Sequence, residues 1–180
     1  MTLALLIGGL LSYTFVKNGY FPVAKIGGKF ISYNTVKENV DVSKRIYSNG
    51  LAGSSPEMDL IFKRGNESLL FRNVFESIIT NEIIKSTATD DLLAKAKKEI
   101  KSSFDDKSVA SIASLVQQVY GWDVSKFTER ILEPQAILDV LTKEKGESFN
   151  DWLDSSKKNA SISIWFVPFD WKDGRLESRK

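Results

Sequence analysis

Apolar residues return every three or four positions through the middle of this chain and alternate only in short stretches towards residues 25 and 163. That is the pattern of a run of helices with a strand near each end. Pro22-Val-Ala-Lys-Ile-Gly-Gly-Lys-Phe-Ile31 is two short apolar stretches around Gly27-Gly28 and predicts a hairpin. Ser32 offers an N-cap to a helix from about Tyr33 to Ser48, with Val36, Val40 and Tyr47 inward. Asn49-Gly50 ends it, and Gly53-Ser-Ser-Pro56 marks a loop. The strongest helical signal runs from about Leu69 to Thr87, where Phe71, Val74, Phe75, Ile78, Ile79, Ile83 and Ile84 form a stripe read as core, with a ligand groove as the alternative. Thr89 or Asp90 caps the next helix, which reaches about Phe104. A further one runs from about Lys107 to Tyr120, with Val109, Ile112, Leu115, Val116 and Val119 inward and Gly121 at its end.

Asp123 caps another helical stretch through Phe127, Ile131, Leu132, Ile137, Leu138 and Leu141. Pro134 lies inside it, without an N–H and crowding the carbonyl four residues back, so a kink or a two-segment helix is expected. A short helix from Phe149 to Lys157 comes next. Ser161-Ile-Ser-Ile-Trp-Phe-Val167 then alternates before turning continuously apolar, as a strand does. In such a strand Ile162, Ile164 and Phe166 share one face while Trp165 and Val167 share the other. Pro168 ends regular pairing, and Asp173-Gly174 turns the chain before a charged tail, Arg175 to Lys180. Hairpin and last strand each need a partner, so the two are expected to pair.

Thr2 to Val16 is uncharged and is closed by Lys17. As a helix this run rises about 22 Å, against about 30 Å of bilayer hydrocarbon. Continuing through Asn18, Gly19, Tyr20 and Phe21, with Lys17 snorkelling, brings it near spanning length. A cleaved signal peptide would show a basic start and small residues before the cut, and neither is present. A buried core helix would show a polar face, also missing. Residues 1–21 therefore predict an uncleaved transmembrane helix, single-pass, and residues 22–180 the body. Taken alone, Lys17 after the run places that body in the cytoplasm.

Composition narrows the chemistry. Lys and Arg number 25 against 23 Asp and Glu, a net charge of +2, with no dominant basic stripe, so no nucleic-acid partner is expected. The lysines at 95, 97, 98 and 101 are diluted by Glu99 and flanking aspartates and are read as a solvated face. The chain has no cysteine and no histidine. That excludes disulfides, thiolate nucleophiles, cysteine or histidine metal sites and histidine general bases. The double glycines match neither dinucleotide nor phosphate-loop fingerprints, and no acidic loop has calcium-site spacing. No catalytic residue, metal or cofactor is assigned.

Val23-Ala-Lys-Ile-Gly-Gly-Lys-Phe-Ile-Ser32 resembles the opening "V-A-x-V-N-G-x-x-I-S" of the SurA N-terminal domain and its relatives among the parvulin-associated foldases. Val74 to Ile84 is similar to that family's "V-L-x-x-L-I-x-x-x-L-I" helix. The stretch from Tyr120 to Pro134 resembles its glycine-containing segment with a downstream proline. These cover residues 23 to about 141 in the family's order, behind an N-terminal hydrophobic segment. Gly27 replaces the usual asparagine, and both accept turn conformations.

The resemblance implies a mainly α chaperone domain, closed by a small sheet from its N- and C-terminal strands. It also implies work on unfolded or partner polypeptides at the extracytoplasmic side of the cell membrane, against the lone Lys17 signal. Only residues 158–180 come after the last helix, too few for a parvulin domain, and parvulin sites use histidines, so isomerase activity is expected to be missing. The second reading is an anchored assembly subunit with one dedicated partner. For client contact the sequence singles out Trp165, Phe169 and Trp171, expected to be more open than Ile162, Ile164 and Phe166. Phe169 and Trp171 are placed on a short exposed segment after Pro168, where serine replacement would weaken binding with little change in stability. The alternative is that the strand Ile162 to Val167 completes the sheet and its aromatics plug the core, in which case that double replacement would lower the melting temperature strongly.

Overall fold

The computed structural model describes residues 17–49, 61–62, 66–103 and 106–179, with the side chains of 103–110 left aside. The chain begins as a hairpin, β1 (Pro22–Ile26) and β2 (Lys29–Ser32), succeeded by α1 (Tyr33–Ser48) and α2 (Glu67–Thr87). Next come α3 (Asp90–Ser103), α4 (Asp106–Tyr120) and the single turn α5 (Val124–Phe127). A π-helical turn (Thr128–Leu132) joins α5 to α6 (Glu133–Lys145), and a 3-10 turn (Gly146–Ser148) leads into α7 (Phe149–Asn159). Three strands finish the chain: β3 (Ile162–Ile164), β4 (Phe169–Lys172) and β5 (Arg175–Ser178). The fold is mainly helical with small antiparallel sheets.

Gly27 (φ +53°) and Gly28 (φ +92°) both take left-handed conformations, as a two-residue turn between twisted strands requires. β1 pairs antiparallel with β2 on one side and with β3 on the other, giving the order β2-β1-β3. The expected meeting of the terminal strands therefore occurs, with Ala24 opposite Ile164 and Ile26 opposite Ile162. β4 and β5 form a second hairpin through Asp173 (φ +48°) and Gly174 (φ +81°). The segment read as a charged tail is thus a strand. Its Leu176 is buried, and the Leu176 N–H donates to the Glu76 carboxylate on α2 at 3.2 Å.

The start of α1 shows how the chain before the sheet is tied to the body. Ser32 Oγ accepts from the Thr35 N–H at 3.1 Å, as its capping role predicts. The two preceding orphan donors are also satisfied: Tyr33 N–H by the Phe21 carbonyl and Asn34 N–H by the Gly19 carbonyl. Phe21 stacks on Tyr33, with ring centroids 5.3 Å apart. The expected helical continuation through Phe21 does not form: Lys17 is helical, Asn18 and Gly19 turn, and Gly19 has φ +71°. Most of the anchor assigned to residues 1–21 lies outside the described residues. Among the described residues no helix is long and apolar enough to cross a membrane.

α2 is the central element. Phe75, Ile79 and Ile83 are buried against Val23, Ile26 and Ile31 of the sheet, Val36 of α1, and Val167, Phe169 and Leu176 near the C-terminus. Its last turn places Ile84 in a second cluster with Leu92 and Ala96 of α3 and Ile137, Val140 and Leu141 of α6. Of the stripe read from the sequence, Phe75, Ile79, Ile83 and Ile84 are core, while Phe71, Val74 and Ile78 are partly buried at its edge. Near its start Leu70 packs with Val40 and Ile61. On the far side of α1, Val42 meets Val116 and Trp122. Leu115, expected inward, is exposed, since α4 buries Val116 and Val119 instead. On α3, Lys95 sits between Asp91 and Glu144 at 2.8 and 2.7 Å, and hydrogen bonds to both raise its pKa above the usual lysine value.

Candidate functional site

The C-terminal aromatics fall out differently from the alternation read in the sequence. β3 stops at Ile164, although the Trp165 N–H still donates to the Val23 carbonyl at 3.0 Å. Phe166 takes φ +58°, which breaks the strand and turns its ring outward to 76 % exposure, edge-on to Phe21. Beyond Pro168 the chain pairs again. Phe169 is 3 % exposed, stacked on Phe71 with centroids 6.3 Å apart. Trp171 is half-buried, and its indole N–H donates to the Lys157 carbonyl at 3.1 Å. The expected accessibility is thus reversed for Phe169, a core residue, and for Phe166, an open one. The cause is the left-handed Phe166 together with the β4–β5 hairpin that folds the last strands back onto α2. Of the three residues singled out, Trp165 alone borders an open aromatic surface, its ring 6.5 Å from that of Phe30.

Phe30 marks a more informative place. It is 59 % exposed on the outer face of the three-stranded sheet, with the Lys25 ammonium 5.4 Å from its ring centre. β2 is one of the two edge strands of the sheet. The two-residue turn makes Ile26–Lys29 the hydrogen-bonded closing pair, so the next pair, Lys25–Phe30, is not hydrogen-bonded. The N–H and C=O of Phe30 accordingly point away from β1, along an edge with no strand beyond it among the described residues.

A cleft of about 320 Å³ opens beside this edge, between β2, α1, α2 and the π-helical turn. Val42 and Ile46 of α1, Val74 and Ile78 of α2, and Ile131 supply its apolar surface. Asn39, Ser43, Ser77 and Asn81 add polar groups. At the sheet end Lys29 pairs with Glu82 at 2.9 Å. At the other end the Lys85 ammonium donates to the Glu129 carbonyl at 3.3 Å and lies 3.8 Å from Glu133.

The π-helical turn shapes that second end. Pro134 has no N–H to return to the Arg130 carbonyl, and the Glu133 N–H reaches back five residues to the Thr128 carbonyl. The proline expected to break the helix does so in this way, and α6 restarts with Pro134 in its first turn. A widened turn presents neighbours that an ordinary helix would send to different faces, and here Glu129, Arg130 and Ile131 all line the cleft. Arg130 is mostly buried, yet its Nε makes no hydrogen bond; the nearest carboxylate oxygen, of Glu129, is 3.8 Å away. Among the described residues no other buried side-chain nitrogen or oxygen is left without a partner.

What the arrangement offers is recognition: an open strand edge, an aliphatic wall and a guanidinium with spare donors. Sequence reasoning reached only its α2 wall, as the groove alternative for the apolar stripe, because the other residues come from β2, α1, α4, the π-helical turn and α6. Pro134 was a further usable signal, since a helix-breaking proline leaves a distorted turn about four residues upstream, where Arg130 sits. No protein-family model, no curated protein and no solved structure matches this chain.

Proposed function

We propose that this chain is an ATP-independent polypeptide-binding module of the chaperone type, held at the extracytoplasmic face of a membrane by its uncharged N-terminal segment and without prolyl isomerase activity. The observation that carries this reading is the open edge of β2 beside a cleft of mixed polarity. An extended client adds a strand to such an edge, gaining main-chain hydrogen bonds that do not depend on its sequence. Its alternate side chains then meet Ile46, Ile78 and Ile131 on one side, and Phe30 and Trp165 on the other. The resemblance of residues 23 to about 141 to the SurA N-terminal domain supports the same reading, as does the uncharged run up to Val16 for the anchor.

The Arg130 Nε, buried without a hydrogen-bond partner in the cleft, favours the second reading, an assembly subunit with one dedicated partner, because an unsatisfied donor rewards a defined ligand. Client range separates the two. The full chain in detergent micelles is expected to suppress aggregation of several unrelated unfolded proteins, and Phe30→Ser to weaken that suppression while the melting temperature stays within a few degrees. Protection of no unrelated protein overturns the chaperone reading in favour of the dedicated subunit.

A further inference from the structure

We propose that Arg130, with Lys85 beside it, binds a carboxylate of the polypeptide segment lying in the cleft, so that the site prefers apolar segments that carry one. The inference rests on the polypeptide-binding reading above and adds the chemistry of what is recognised.

Arg130 is the starting point. Its side chain is 30 % exposed, and among the described residues its one charged contact is Glu129, 3.8 Å from Nε and beyond hydrogen-bonding distance. The other cations of the cleft are engaged: Lys29 by Glu82, and Lys85 by the Glu129 carbonyl and Glu133. A guanidinium Nε–H taken out of water without an acceptor is unfavourable, and a ligand that supplies one recovers that loss on binding. The planar fork matches a carboxylate through two parallel hydrogen bonds, which an ammonium does not offer.

Placement supports the assignment. The π-helical turn brings Arg130 into the cleft together with Ile131, so charge and aliphatic surface are adjacent. Lys85 is tied to the carbonyl of Glu129, the residue next to Arg130, and so adds a second cation at the same turn. Glu82 and Glu129 also line the cleft. Their negative charge disfavours a phosphate dianion and leaves a singly charged carboxylate as the matching anion. Two sources present that group in a polypeptide, a free C-terminus and an aspartate or glutamate side chain.

The test uses the full chain in detergent and short fluorescein-labelled peptides of alternating valine and threonine, read by fluorescence anisotropy. One peptide ends in a free carboxylate, one in an amide, and one in an amide with a glutamate replacing an internal threonine. Either acidic peptide is expected to bind about tenfold more tightly than the neutral amide. A preference shown by only one acidic peptide supports the proposal and identifies the source. In Arg130→Met that preference is expected to disappear while the neutral peptide binds as before. Equal binding of all three peptides to the unaltered chain overturns the carboxylate proposal and leaves the polypeptide reading standing. Binding of none overturns both. Equal weakening of all peptides by Arg130→Met means that the residue only shapes the wall, and the proposal falls. Should that variant fold poorly, Lys85→Met is expected to narrow the same preference, and an unchanged preference there overturns it.

Discussion

Replacing Phe169 and Trp171 together with serine is expected to lower the melting temperature by about 10 °C or more. Phe169 is 3 % exposed, stacked on Phe71 and packed in the cluster that joins the sheet to α2. Emptying a buried phenylalanine site costs about 3–5 kcal/mol, and the incoming hydroxyl has to find a partner in apolar surroundings. Trp171 adds to this through its packing against the same cluster and its hydrogen bond to the Lys157 carbonyl. Against a total stability of about 5–15 kcal/mol, that is a large share. Phe166→Ser is the control, since that ring is mostly in water, and its effect is expected within about 0.5 kcal/mol. Thermal melting monitored by circular dichroism checks both. A double variant melting within a few degrees of the unaltered chain would mean that the β4–β5 hairpin does not pack onto α2.

That outcome is the opposite of what alternation along residues 161–171 implies, and the reason lies in a single dihedral. Period-two reasoning holds only while every residue stays in the extended region, and Phe166 leaves it. Nothing in a phenylalanine announces a positive φ, because the residue types that favour one are glycine, asparagine and aspartate. Asp173-Gly174 was legible as a turn for that reason. Strand β5 was not legible, since its return onto α2 depends on Glu76, far away in sequence, accepting the Leu176 N–H. The legible elements were those specified locally: Gly27-Gly28 at the hairpin, Ser32 and Asp123 as caps, and the apolar stripe of α2. Leu115 and Val116 mark another limit. Both suit the inner face of a helix by type, and the crossing of α4 over α1 decides which one is covered. The cleft is non-local in the same sense, because no short stretch of chain contains more than a fraction of its wall.

Phe75→Ala is expected to cost about 4 kcal/mol and to weaken peptide binding as well. Phe75 is fully buried at the middle of α2, 6.0 Å from the Phe71 ring, where the sheet, α1 and the C-terminal hairpin converge. Surrounding strands and helices are held by their own hydrogen bonds, so the space left by the ring closes only in part. In urea the unfolding midpoint should fall with little change in slope, as expected for lost packing in an otherwise intact fold. Phe75→Leu keeps most of the volume and should cost about 1 kcal/mol. The link to binding comes from the neighbours. Phe75 and Ile79 face the core, while Val74 and Ile78, one position before each, line the cleft. A helix that settles into the vacated space carries that wall with it and changes its spacing from β2 and Arg130. Peptide affinity measured well below the unfolding midpoint should therefore drop for Phe75→Ala and hold for Phe75→Leu. Unchanged affinity in the alanine variant would mean that the cleft wall is positioned independently of the core beneath it.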